Sequence, residues 1–181
     1  DGPDPIYTSQ ILKILKKNHI PATFFLVGKN AQKYPKLVQE EMKSGYQIGN
    51  HTFSHPHLNT LSEAQISLQL VKTDQIIQKI TGQKPLFLRT PYEELNENIL
   101  NIAHSDHKQI ILSTLTLEHQ LSKTPKAKAE RVMGMVFPGA IILAHDGRLN
   151  RHSTVKALPY LIRGLQAKGY RFVSLPELFR K

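Results

Sequence analysis

The chain of 181 residues contains no cysteine. That single absence excludes disulfides, thiolate metal sites and cysteine nucleophiles, although it does not fix the compartment. No apolar run approaches the ~20 residues needed to cross a bilayer, and no stretch has the build of a signal peptide. Acidic residues are scarce: 14 Asp and Glu stand against 24 Lys and Arg, for a formal net charge of +10. Such an excess suits anionic partners such as acidic glycans, and it also suits a plain lysine-rich surface. A nucleic-acid partner is not supported, because there is no recognisable module and no basic stretch interleaved with aromatics. The chain also lacks an initial Met. It opens at Asp1-Gly2-Pro3, which reads as a fragment or a processed form.

What is present is an alternation. With 40% apolar and 21% charged residues, the composition is that of a globular protein, and the length suits one domain over 1–181. Ile11, Ile14 and Leu15 at helical spacing predict an amphipathic helix over 7–18, started by Thr8 or Ser9. The continuous apolar run 22–27, ended by Gly28, predicts a strand buried on both faces. Pro35 opens a helix that stops near Gly45, and 46–49 is a short strand. Ser62-Glu63-Ala64-Gln65 matches a capping box, and the helix behind it carries Ile66, Leu70, Thr73, Ile77 and Ile80 on one stripe up to Gly82. Strands at 86–89 and 109–112 flank a helix over 96–103 with Asn96 as N-cap. Thr124-Pro125 starts another helix, and 140–144 is an apolar strand. A helix marked by Val155, Leu158, Ile162 and Leu165 follows, with Pro159 expected to kink it or mark its start. A last strand at 170–174 and a helical turn at 176–179 end the chain. Alternating strands and helices with short connections call for parallel strands wrapped by helices, an α/β fold.

In such folds the site is built at the carboxyl ends of the strands. The unusual residues fall there. His51 and His55 follow the 46–49 strand, Arg89-Thr90-Pro91-Tyr92 follows the next, and His145-Asp146-Gly147 follows 140–144. Asp1 precedes the first helix, where the end of a further strand should lie. A His pair four residues apart is weak evidence alone, since nine His occur in the chain. Two imidazoles and a carboxylate on one face make a three-ligand metal site with open positions. The matching chemistry is metal-assisted hydrolysis, in which an ion acidifies water and polarises a carbonyl, while His145 protonates a leaving group. His57, His104, His107, His119 and His152 read as surface residues, and Asp146 as a turn or cap group.

These motifs together resemble the NodB-type polysaccharide deacetylases, carbohydrate esterase family 4, over essentially the whole chain. The resemblance implies a distorted (β/α) barrel with fewer than eight parallel strands, its first strand largely missing here. Asp1-Gly2-Pro3 is similar to the end of the family's Thr-Phe-Asp-Asp-Gly-Pro motif. By that match Asp1 is a metal ligand, and the family's aspartate base would be the residue immediately before it. His51-Thr52-Phe53-Ser54-His55 meets the His-Ser/Thr-x-x-His motif. It implies both His as metal ligands, with Thr52 bracing the loop. Arg89-Thr90-Pro91-Tyr92 meets Arg-x-Pro-Tyr, implying that Arg89 holds the base and that the Tyr92 backbone N–H steadies an oxyanion. Leu143-Ala144-His145 meets Leu-x-His. It implies a leucine lining the acetyl pocket and His145 as general acid; Pro91, Tyr92 and Leu143 are then the substrate-binding residues. Ala22-Thr23-Phe24-Phe25 is similar to a further family segment. The implied cofactor is one divalent ion, zinc first, with cobalt or nickel also accommodated by a His₂Asp set. The implied activity removes N-acetyl groups from a polysaccharide containing N-acetylglucosamine, peptidoglycan or chitin-like, outside the cytoplasm.

Two positions depart from the pattern. Leu115 stands where the fourth motif has an aspartate that orients the catalytic histidine, with Glu118 as a candidate substitute. Glu93 stands where glycine often follows the tyrosine. The Leu115 departure motivates a rival reading, a domain that binds glycan or metal without turnover. A second rival is a metallohydrolase acting on another amide or ester.

Overall fold

The computed structural model describes residues 1–180. In chain order its elements are α1 (Thr8–Lys17), β1 (Thr23–Leu26), α2 (Gly28–Lys33), α3 (Pro35–Lys43), β2 (Gln47–Asn50) and α4 (Glu63–Thr81). They continue with β3 (Phe87–Leu88), α5 (Glu97–Ser105), β4 (Gln109–Ile110), β5 (Leu115–Thr116), α6 (Pro125–Met135), β6 (Ile142–Leu143), α7 (His152–Ala167) and α8 (Leu175–Leu178). Short 3₁₀ turns lie at Leu58–Thr60 and Pro91–Glu93. The strands form a four-stranded sheet in the order β1-β2-β3-β4 and a separate pair, β5-β6, every pairing parallel. The expected α/β class with fewer than eight parallel strands is therefore met; among the described residues the strands do not close into a barrel.

Two compact units carry these elements. The first comprises Asp1–Pro3 and Thr23–Leu112 and holds the four-stranded sheet. Its core joins sheet residues such as Leu26 and Leu88 to the apolar stripe of α4, where Ile66, Leu70 and Ile77 are buried. Ile66 packs with Leu58 and Ile99, and Leu70 with Leu88 and Ala103. The helix starts on the expected capping box, Ser62 with Gln65, and ends at Gly82, whose φ of 76° closes the left-handed cap. At Gly49 a Cβ would lie 2.5 Å from the Phe25 ring, so glycine lets that ring rest on β2. Asp1 and Gly2 run beside the end of β1: the Asp1 nitrogen meets the Phe25 carbonyl at 3.3 Å, and Val27 N–H donates to the Gly2 carbonyl at 3.1 Å.

The second unit comprises Asp4–Ala22 and Ser113–Lys181. Here α6 and α1 both pack on α7. The approach is close: a Cβ at Gly164 would lie 1.9 Å from the Met133 sulfur. Thr124 caps α6 as expected.

Four sequence expectations need correction. Thr8 and Ser9 do not cap α1. Asp4 Oδ1 accepts the N–H groups of Ile6 and Tyr7 instead, and the Thr8 hydroxyl donates to Asp146 at 2.6 Å. Gly28 ends β1 but also opens α2, a helix too short to show periodicity. Pro159 lies inside α7, seven residues after its first residue, so it does not mark the start. The 170–174 segment forms no strand, because no ladder supplies it with hydrogen-bond partners.

Candidate active site

Beyond β2 the chain runs directly into the His51–His55 loop. Asp1 Oδ1 lies 3.2 Å from His51 Nε2 and 3.1 Å from His55 Nε2. The donor atoms of the three residues all fall within 4.8 Å of one another, and the side chains are almost wholly buried. The His51 tautomer follows from its other nitrogen. Nδ1 is 2.7 Å from the Arg89 carbonyl, which can only accept, so Nδ1 carries the proton and Nε2 presents a lone pair. Burial, first of several causes, holds the His51 pKa well below its ordinary value, so the ring is neutral near pH 7. A lone pair of a neutral imidazole facing a carboxylate oxygen at 3.2 Å is unfavourable unless a cation lies between them. The donor set therefore fits a divalent ion with nitrogen and oxygen ligands.

The loop bearing the two His is tied down along its length. The Asn50 side chain, wholly buried, accepts from Thr52 N–H at 2.8 Å. Thr52 and Phe53 carbonyls accept the first N–H groups of α2, from Gly28 and Lys29, each at 2.9 Å. These are groups that a helix start leaves without intrahelical partners. Gln69 on α4 accepts from Phe53 N–H and Ser54 N–H, each at 2.9 Å. The Thr52 hydroxyl accepts from His55 N–H at 3.1 Å, the bracing role implied by the sequence. These ties hold unusual backbone: φ is 66° at Thr52 and 58° at His55. Tyr92 and Glu93 share that left-handed region at 56° and 57°. Four non-glycine residues in that region cluster in two short loops, and strain of this kind collects at functional sites.

Arg89 is buried in the same unit, its Nε donating to the Ile111 carbonyl at 3.1 Å and its guanidinium lying 4.5 Å from the Phe25 ring centre. Burial lowers its pKa from the usual arginine value, with Glu93 acting in the opposite sense. Pro91 is buried, whereas Tyr92 is about half exposed. The Tyr92 ring meets the His55 edge at 4.9 Å and lies flat on His57 at 3.9 Å. His57 is exposed, as expected of a surface residue, and it also stands at the rim of the cluster, with Nδ1 2.6 Å from Glu94.

In the second unit, Leu143 is half-buried in β6 and His145 follows two residues later. Its Nδ1 is hydrogen-bonded to the Glu118 carboxylate, which also accepts from His145 N–H at 3.1 Å and from the Thr154 hydroxyl. Arg151 stands 3.7 Å away. Burial alone would raise the Glu118 pKa, but the His145 hydrogen bond and charge, Thr154 and Arg151 outweigh it and hold the pKa below the ordinary glutamate value. Leu115 is buried and paired with Ile142 across β5 and β6, in the core. The carboxylate expected at that place is supplied from Glu118.

A family model described as polysaccharide deacetylase matches residues 1–110. The chain belongs to the polysaccharide deacetylase family. Among its relatives is a peptidoglycan-N-acetylglucosamine deacetylase of Bacillus cereus, 38% identical over 99% of this chain and 66% of its own length. A peptidoglycan-N-acetylmuramic acid deacetylase, PdaC of Bacillus subtilis, is 34% identical over 98% of this chain, which spans only 37% of that relative. The crystal structure of the Bc1960 peptidoglycan N-acetylglucosamine deacetylase, in complex with a naphthyl-N-oxidanyl-benzamide, superposes with a TM-score of 0.94 at 37% identity, covering 99% of this chain and 84% of that one. Against this frame, the residues that sequence reasoning passed over are the supports: Asn50, Gln69, Asp74 and His57. Asn50 alone carried a signal, as a polar residue ending a buried strand.

Proposed function

We propose that the chain is a metal-dependent hydrolase that removes N-acetyl groups from amino sugars of peptidoglycan, outside the cytoplasm. The observation that carries the proposal is the convergence of Asp1, His51 and His55 on one point, with His51 Nδ1 held 2.7 Å from the Arg89 carbonyl and Nε2 facing Asp1. When bound, a divalent ion there supplies Lewis acidity toward the acyl oxygen and acidifies water, with zinc the expected ion and cobalt or nickel compatible. This chain's residues do the rest. The Tyr92 backbone, held at positive φ, offers its N–H to the developing oxyanion. Arg89, fixed through Nε, serves as the cation that holds a carboxylate base. Glu118 keeps the proton of His145 on Nδ1 in the neutral ring and stabilises the imidazolium; Nε2 of that cation then gives its proton to the departing amine. Pro91 and Tyr92 in the first unit, and Leu143 in the second, are the residues assigned to meet the substrate. Acetate and a free amino sugar leave.

The rival reading, a domain that binds without turnover, drew on the missing carboxylate at Leu115. The Glu118–His145 hydrogen bond weighs against it. No helix among the described residues is long and apolar enough to cross a membrane. The test is acetate release from peptidoglycan and from chito-oligosaccharides by zinc-loaded protein, with bound zinc measured in parallel. His51→Ala is expected to lose both zinc and activity. Retention of both would refute the site, and glycan binding without acetate release by the wild type would favour the inactive rival.

A further inference from the structure

Behind the His loop lies a buried ionic group that the proposed chemistry does not use. Asp74, on α4, is 3% exposed. Its Oδ1 accepts from the Asn50 amide at 2.7 Å, and its Oδ2 lies 2.7 Å from the Lys108 ammonium. The Lys108 side chain is wholly buried, and its ammonium also donates to the Pro85 carbonyl at 2.8 Å and stands 3.4 Å from Asp106. Burying a lysine and an aspartate together costs desolvation that apolar residues of similar volume would avoid. The position of the pair suggests what it maintains.

An Asn amide has two chemically different ends, and its orientation decides what it can offer. In Asn50 the NH₂ end donates to Leu70 O at 2.9 Å and to Asp74 Oδ1, which leaves the oxygen to accept from Thr52 N–H. Asp74 is an acceptor with no hydrogen to give when ionised, so it admits only this orientation. Thr52 lies between the two His at φ 66°, and its hydroxyl in turn receives His55 N–H. We infer that Asp74, charge-balanced by Lys108, is a positioning residue for the metal ligands: through Asn50 it fixes the backbone that aims His51 and His55.

The inference rests on the reading of Asp1, His51 and His55 as metal ligands, and its readout is zinc affinity, measured by competition with a chromophoric chelator, alongside thermal unfolding of the metal-free protein. Asp74→Ala is expected to weaken zinc binding roughly 10–100-fold, the usual effect of removing an outer-shell support. Lys108→Met is expected to lower the unfolding temperature while leaving zinc affinity within about twofold, because Asp74 can still accept from Asn50 in either protonation state. The double variant D74A/K108M carries no unpaired buried ammonium, so it is expected to recover stability but not affinity, and it serves if Asp74→Ala alone fails to fold. Wild-type zinc affinity in D74A/K108M would overturn the inference, as would an affinity that falls with stability in Lys108→Met. A wild-type protein that binds no zinc would overturn the metal centre itself, a result distinct from either.

Discussion

Glu118 sits three residues beyond the position where the resemblance led one to look for an orienting carboxylate, and its environment gives the clearest pH signature in the chain. The carboxylate accepts from both nitrogens that His145 presents to it, backbone and ring. Charge-assisted bonds of this kind contribute on the order of 2 kcal/mol each. Because the folded pKa lies below the ordinary glutamate value of 4.5, the unfolded chain takes up the proton first as pH falls. The stabilisation is therefore complete above about pH 4.5 and is lost as pH falls through the depressed folded value. Glu118→Gln should flatten this part of the profile: unfolding temperatures of wild type and variant converge as pH is lowered from 6 toward about 3. A constant gap across that range would show that the fold does not lower the Glu118 pKa. The same variant should cut acetate release by a substantial part of the roughly 10²–10⁴-fold that a positioned proton donor contributes. KM should change little, since Glu118 acts through His145 rather than on the sugar.

At the scale of elements, α4 does more than cover the sheet. Its apolar stripe was legible from the spacing of Ile66, Leu70 and Ile77, and its ends from the capping box and Gly82. Its polar face was not legible, because Gln69 and Asp74 look like ordinary solvated residues until folding brings the His loop against them. The Glu118–His145 pair, which joins residues 27 apart, could be offered from sequence only as a candidate, because its geometry is long-range, and α2, a helix of six residues, had no period to read. The Asp1, His51 and His55 set was readable because parallel α/β topology lays neighbouring strand ends side by side whatever the details. The 170–174 run looked like a strand for an equally physical reason: an apolar pattern marks burial, and a ladder needs a partner that pattern alone does not supply. The contact between α2 and α4 makes a direct test of element packing. A Cβ at Gly28 would lie 2.6 Å from the Thr73 hydroxyl and 3.2 Å from its Cα. Gly28→Ala should cost about 1–3 kcal/mol through overpacking. Thr73→Ala in the same chain should recover part of that cost, so the two changes combine to less than their sum in denaturant unfolding. Simple additivity would mean the helices adjust without meeting.

At the scale of the molecule, the charge is divided unevenly. The first unit has 9 Lys and Arg against 9 Asp and Glu, whereas the second has 15 against 5, so the whole formal charge of +10 belongs to the second unit. Its cations are not concentrated in one motif. Lys13, Lys16 and Lys17 lie on the exposed side of α1, and Lys123, just before α6, and Lys126, in its first turn, are exposed. A diffuse excess of this kind does not recognise a particular group; it raises the local concentration of an anionic polymer and speeds encounter. Its effect must be sensitive to salt, because the screening length falls from roughly 10 Å at 0.1 M to about 3 Å at 1 M. The neutral first unit, with its buried ligand set, should be indifferent to the same change. Retention on cell walls that carry anionic polymers should therefore fall steeply between about 0.05 and 0.5 M salt, and more gently on walls stripped of them. Replacing Lys13, Lys16, Lys17, Lys123 and Lys126 with Gln should weaken retention at low salt and leave zinc affinity unchanged. Turnover of neutral chito-oligosaccharides should vary little with salt in either protein. Salt-independent retention on anionic walls would show that the basic unit does not drive wall binding and leave its charge as surface chemistry alone.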